Sequence, residues 1–369
     1  MTGPASHRRP ELDIARAIGI LCVLYGHALE MTFLGRAQEP GFAFAQWRFL
    51  YSFHMPLFFL VSGMLFRERR TRDAIANALL LLLIAAAVHA LGWLGTWGLG
   101  DPGATLDSLL FPLLNGYGFY TSVVWFLVAL SFVQLAHHAM ARSGPAGRAA
   151  VAALLAASFV VAQMTGTYRF QMGALLPGAV FYAIGHWLAR SGHAGPPAGL
   201  RSFLIPAAIA ATLLLAPLNN GCLLDPVARC GIPALNGGVA VWMAFGTIGF
   251  APAFLVTALL GSLGVLWSAQ TLAQRGGGVA TALSALGART LDLLIVNGFV
   301  LQFVQPHLKR LIADGAPAWV GVAWALGLTM AQVLLLPLLG RATGPLIALA
   351  RGIAETTVGG RSTPSASRS

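Results

Sequence analysis

Residues 11–30, ELDIARAIGILCVLYGHALE, form an apolar stretch of the ~20 residues that cross a bilayer, yet they include Asp13, Arg16, His27 and Glu30. Ionisable side chains inside a span are costly, and where they occur they usually serve a function. Their spacing sharpens the point. Ten residues separate Arg16 from His27, and eleven helical steps of about 100° return to within about 20° of the starting face. At ~1.5 Å per residue the two groups lie about 16 Å apart along that face. One helix would hold a cation near one membrane surface and a titratable base deep in the span.

The rest of the chain keeps this apolar character. Only 9% of its 369 residues are charged and 57% are hydrophobic, with a mean hydropathy of +0.74, against about 25% charged in a soluble domain. The sequence therefore predicts an all-α, polytopic transmembrane helical bundle. About ten spans are expected, near residues 14–34, 47–66, 74–99, 119–141, 149–165, 174–190, 203–218, 250–271, 291–311 and 318–339. Residues 237–249 read either as an interfacial helix or as part of a longer span kinked at Pro252.

The net charge of +11 and the pI near 10.7 do not mark a nucleic-acid binder. The basic residues sit in short loops between apolar runs, where positive charge sets orientation. With a cytoplasmic N-terminus, sixteen of them fall in inner segments and six in outer loops, which favours both termini in the cytoplasm and an even number of spans. Arg supplies 22 of the 23 basic residues. With the excess of Ala and Gly, this hints at a GC-rich bacterial genome and hence a bacterial inner membrane. One membrane domain is expected over residues 1–350, followed by a polar cytoplasmic tail, 351–369, expected to be disordered. No cleavable leader is expected ahead of the first span. Cys222 and Cys230 share an outer loop, where a disulfide and two free thiols are equally open readings; no metal-ligand spacing appears.

Arg16 has a bland reading, a helix-end arginine that snorkels to the headgroups and pairs with Asp13 three residues earlier. His27 is harder to assign to packing. It shares a face with Arg16, and Glu30 stands one turn further on, where a carboxylate could orient an imidazole suited to general-base work. The second span enters from the opposite side and carries His54 at about the same depth. Two imidazoles on neighbouring antiparallel helices could share a pocket, with Pro56 as a bend and Ser62-Gly63 as a point of close approach. Packing alone is an equal reading for Ser62 and Gly63. The loop that follows carries Arg67, Arg69, Arg70 and Arg72. On the plain reading they set topology. On the other they clamp phosphates through guanidinium forks, Arg67 with Arg70 or Arg69 with Arg72 at i, i+3.

The run LDIARAIGILCVLYGH, followed by FHMPLFFLVSGML and an Arg-x-x-Arg, resembles the acyltransferase 3 family of integral membrane acyltransferases, most closely its fucose 4-O-acetylase-like branch. Residues 124–127, 176–177 with 182–185, and 286–287 add to the likeness, which covers most of residues 11 to about 339. The resemblance implies a cytoplasmic acyl-CoA donor, acetyl-CoA by family habit, no metal, and a carbohydrate or glycolipid acceptor at the other face. The family's arginine-ten-histidine motif falls on Arg16 and His27, and its Arg-x-x-Arg on Arg67 and Arg70, with Arg69 and Arg72 as a second register. Its Ser-Gly-aromatic motif falls on Ser62, Gly63 and Met64, with Met replacing the aromatic. Where many relatives place a His in the ninth span this chain has Asn297, and Thr290 replaces a Ser, which weakens any role carried over to that span.

The reaction so implied is O-acyl transfer to a sugar hydroxyl. Arg16, Arg67 and Arg70 would hold the CoA phosphates. His27 would either take the acceptor's proton, oriented by Glu30, or carry the acetyl group itself. His54 would hydrogen-bond the sugar or the thioester oxygen. No esterase-like domain is expected after the bundle, so the bundle would complete the reaction. The rival reading is a glycan or glycolipid transporter without acyl transfer.

Overall fold

The computed structural model describes residues 9–33, 41–166, 168–192, 195–219, 241–307 and 317–358. Cys222, Cys230 and the tail from Gly359 lie outside the described residues. In chain order the helices are α1 (Pro10–Phe33), α2 (Phe42–Tyr51), α3 (His54–Met64), α4 (Thr71–Gly98), α5 (Leu106–Asn115), α6 (Trp125–Arg142), α7 (Pro145–Thr165), α8 (Met172–Arg190), α9 (Ala198–Leu215), α10 (Ala251–Arg275), α11 (Gly277–Gly287), α12 (Thr290–Phe299) and α13 (Ala318–Thr357). A π-helical segment, Val300–Val304, continues α12. Among the described residues there is no β-structure beyond the single bridge Trp242–Thr247.

The fold is the expected polytopic helical bundle. Among the described residues, eight helical segments are long and apolar enough to cross a membrane, or nine if α11 with Thr290–His307, a pair bent by 64°, is one span. The second expected span is split. α2 and α3 hold 10 and 11 residues, each about half of what a crossing takes. The break falls at Ser52 and Phe53, and Pro56 accounts for it. A proline ring clashes with the carbonyl four residues back, here Ser52, while its missing N–H is no loss in the first turn of a new helix.

Two further expectations are corrected. Residues 241–249 form no helix beyond a 3-10 turn at Met243–Phe245. Pro252 stands in the first turn of α10, where its fixed φ initiates a helix instead of kinking one. α13 runs to Thr357, so residues 351–357 are helical and not a disordered tail. Ala350 and Ala354, one turn apart, are buried; that narrow apolar stripe is easily missed beside Arg351 and Glu355.

The contacts fall into two compact units. The first, drawn from Met1–Leu65 and Val180–Leu334, is built round α1. Of the α1 span 67% is buried, against 17% for the span containing α9, and α2, α3, α10, α11 and α12 all pack on it. Its start follows from local chemistry: Pro10 begins the helix, and Glu11 and Asp13 in the first turn complement the positive end of the dipole. Glycines set the closest approaches. A Cβ on Gly287 would stand 1.7 Å from the Asp13 carbonyl oxygen, so the end of α11 lies on the start of α1. A Cβ on Gly63 would stand 1.9 Å from the Tyr182 oxygen, and one on Gly185 1.9 Å from the Leu60 oxygen. α3 and α8 therefore cross antiparallel, each glycine seated on the other helix's backbone, the small-residue packing that drives helix association in lipid.

The second unit, drawn from Phe66–Ala179 and Leu335–Ser369, centres on α6 with α4 and α7 against it. His89 of α4 is fully buried there and bonded at both nitrogens. Its Nε2–H donates to the Leu109 carbonyl at 3.0 Å, and its Nδ1 accepts from the Tyr120 N–H at 3.1 Å.

Candidate active site

His27 lies in the last third of α1 and is partly exposed. Its Nδ1 is 2.6 Å from Asn297 Oδ1 of α12, and its backbone carbonyl accepts from Gln305 Nε2 at 3.1 Å. Asn297, 1% exposed, donates from Nδ2 to Gln332 Oε1 of α13 at 3.0 Å. The Gln332 Nε2 donates to the Leu328 carbonyl at 3.3 Å. The π segment explains how Asn297 and Gln305 reach one residue of α1. Eight α-helical steps of ~100° would leave Gln305 about 80° round from Asn297. A π turn holds one residue more than an α turn and takes up roughly that excess.

Glu30 is engaged away from the imidazole. Its Oε1 accepts from Trp47 Nε1 at 3.0 Å and from the Tyr51 hydroxyl. The split second span is the reason: α2 packs on α1 and presents Trp47 and Tyr51, one turn apart, to the carboxylate. Tyr51 also stands between the two imidazoles, its ring centroid 6.3 Å from that of His27 and 4.6 Å from that of His54. His54 donates Nδ1–H to the Leu50 carbonyl at 2.8 Å. His27, Glu30 and His54 thus gather in one cluster, with Tyr51 as its hub. Trp47 lies 4.2 Å from Tyr51 and 6.0 Å edge-on from Trp242, which meets Phe245 at 4.7 Å, so an aromatic wall extends from the cluster.

Arg16, at the other end of α1, pairs with Asp13. Its Nε is buried and without a hydrogen-bond partner, an unusual state for a buried N–H. A cavity of about 430 Å³ opens at the start of α1, lined among others by Arg9, Glu11, Met64, Gln270 and Gln274. Gln270 Oε1 is likewise buried and unpartnered. Gly63 is taken up by the crossing with α8, Ser62 is half-buried beside it, and Met64 reaches the cavity. Arg67, Arg69, Arg70 and Arg72 are all exposed. Arg67, Arg69 and Arg70 lie in a non-helical linker, so their i, i+3 spacing sets no common helical face; Arg72 is in the first turn of α4.

Trp47, Tyr51, Gln305 and Gln332 were not among the residues the sequence pointed to as a site, and Asn297 entered only as the residue standing where many relatives place a His. A signal existed for two of them. Asn297 in LLIVNGFV and Gln332 in TMAQVLLL are isolated amides in apolar runs, the same anomaly that singles out His27. No group of three or more His, Cys, Asp or Glu able to hold a metal ion occurs among the described residues.

The acyltransferase 3 family, described as an acyltransferase domain, matches the chain over residues 9–337. Neither a curated protein nor a solved structure matches it.

Proposed function

The chain belongs to the acyltransferase 3 family, and from that premise we propose that this membrane acyltransferase moves an acyl group, acetyl first among candidates, from cytoplasmic acyl-CoA to a hydroxyl of a cell-surface or lipid-linked sugar at a bacterial inner membrane. The observation that carries this reading is the His27 ring, held at one nitrogen by a buried amide and otherwise open. An acceptor hydroxyl attacks the thioester carbonyl carbon while its proton passes to the His27 imidazole. The new C–O bond forms, the C–S bond breaks, and the departing thiolate takes the proton back from the imidazolium. A positioned base of this kind contributes about 10²–10⁴-fold.

The neighbours fit divided roles. His54 gives its Nδ1–H to the Leu50 carbonyl, so the neutral ring presents Nε2 as an acceptor. That suits a sugar hydroxyl, which donates, and not a thioester oxygen, which accepts. The aromatic wall from Trp47 to Phe245 offers apolar faces to a sugar ring. In the first unit the partly exposed guanidinium of Arg16 is suited to phosphate oxygens, and in the second unit the exposed Arg67, Arg69, Arg70 and Arg72 are suited to the same chemistry.

Purified protein supplied with labelled acetyl-CoA tests the reading. The expected result is release of CoA with transfer of label, reduced at least about 100-fold in His27→Ala at unchanged abundance. Turnover retained by His27→Ala rejects the base assignment. Silence of the wild-type protein in vesicles that still move glycan favours a transporter.

A further inference from the structure

We propose that Asn297 and Gln332 are positioning residues that hold His27 in one neutral tautomer, with the proton on Nδ1, so that Nε2 is the atom that takes the acceptor's proton. The assignment of the tautomer stands on geometry; its catalytic consequence rests on the acyl-transfer reading above.

The Leu328 backbone carbonyl can only accept a hydrogen bond. Gln332, 3% exposed, places an amide atom 3.3 Å from it. That atom must be Nε2, because the flipped amide would set two oxygens against each other in a buried site. Gln332 Oε1 then faces Asn297 and accepts, so the Asn297 atom 3.0 Å away is Nδ2. Asn297 Oδ1 is thereby left for His27, at 2.6 Å. An amide oxygen only accepts, so His27 Nδ1 carries the hydrogen, and a neutral imidazole with its proton there has its lone pair on Nε2. Flipping both amides together would reverse the tautomer, but only with an oxygen–oxygen contact at Leu328. One carbonyl of α13 thus fixes which nitrogen on α1 is basic. Among the described residues His27 Nε2 has no hydrogen-bond partner.

The chemistry of an amide suits this position. It accepts the Nδ1–H without bringing a charge, whereas a carboxylate there would favour the imidazolium and leave less free base at neutral pH. Among the described residues the titratable groups around the ring are Glu30 on α1, Tyr51 on α2 and His54 on α3. Glu30 is bonded to Trp47 and Tyr51 and not to His27. Gln305 adds a second tie, from beyond the π segment to the His27 carbonyl, so backbone and ring are held from the same element.

Nitrogen-15 NMR of the full chain in lipid nanodiscs, labelled at histidine and assigned with His27→Gln, reads the tautomer whether or not the protein turns over. The wild type is expected to be protonated at Nδ1. Asn297→Leu and Gln332→Leu are expected to mix the tautomers and to lower kcat by roughly 10–100-fold, with KM for acetyl-CoA within about twofold. Asn297→Asp should keep the Nδ1–H, since a carboxylate oxygen accepts it as the amide oxygen does. A wild-type ring protonated at Nε2 overturns the proposal. So does an Asn297→Leu protein that turns over like the wild type, or one that loses turnover with its tautomer unmoved. A wild-type Nδ1–H in a protein without any acyl transfer upholds the tautomer and brings down the acyl-transfer reading instead.

Discussion

His27 and His89 look alike as letters in apolar runs, and their ring nitrogens tell them apart. Both nitrogens of His89 are spent on backbone groups, whereas His27 is tied at one nitrogen to a side chain. His89→Ala should therefore leave the Tyr120 N–H unpartnered, at about 1–3 kcal/mol, while the Leu109 carbonyl keeps its place in the α5 ladder. The expected outcome is a lower unfolding midpoint in detergent with turnover per folded molecule unchanged, the reverse of what is expected for His27→Ala. A folded but inactive His89→Ala protein would contradict the purely structural role. The sequence does not separate the two because the partners are remote: 20 and 31 residues away for His89, 270 for His27. Glu30 shows the same limit from the other side. Its i+3 spacing from His27 is visible locally, but Trp47 and Tyr51, 17 and 21 residues on, claim the carboxylate once α2 folds along α1.

Elements were more legible than contacts, because span length against bilayer thickness is a local property. Among the described residues, nine of the ten expected spans are long apolar helices or a bent pair. The apolar runs failed where a short-range rule competed: at Pro56, which divides the second span, and at residues 351–357, where two buried alanines extend a helix past an ionisable surface. The Ser62-Gly63 and Tyr182–Gly185 motifs were visible as motifs, yet their shared purpose is a crossing between helices whose touching residues, Gly63 with Tyr182 and Leu60 with Gly185, are far apart in the chain, which no local pattern encodes. That crossing predicts a sharp asymmetry among glycines. In Gly185→Ala the added carbon would meet a backbone oxygen at 1.9 Å; no rotamer change relieves it, so α3 and α8 must part, at roughly 1–3 kcal/mol or more. Gly199→Ala, in the first turn of α9 with nothing within 4 Å of the new carbon, should be neutral or stabilising by up to about 1 kcal/mol. Unfolding midpoints of the two variants check this, and an unshifted Gly185→Ala would refute the close approach.

For the whole molecule, the parity of crossings decides which face each end presents, and α2 with α3 sets that parity. Together they cover 23 positions, 42 to 64, about 35 Å of helix at 1.5 Å per residue, against a hydrocarbon core of ~30 Å. Nine of the 11 residues of α3 are buried, so this half is enclosed by neighbours and not by lipid. If the pair crosses, the count is ten, both ends are cytoplasmic, and sixteen basic residues lie inside against six outside, as the positive-inside rule favours. If it turns back, the count is nine, everything from α4 onward is inverted, and Arg67, Arg69, Arg70 and Arg72 face outward. Crossing is therefore predicted. Green fluorescent protein fused after Arg72 or after Val358 should fluoresce, and alkaline phosphatase fused at the same sites should be silent. Active phosphatase with dark fluorescent protein at both sites would mean nine crossings. The arginine linker could then hold no cytoplasmic phosphate, and donor binding would fall to the α1 end alone, where the Arg16 guanidinium is partly exposed.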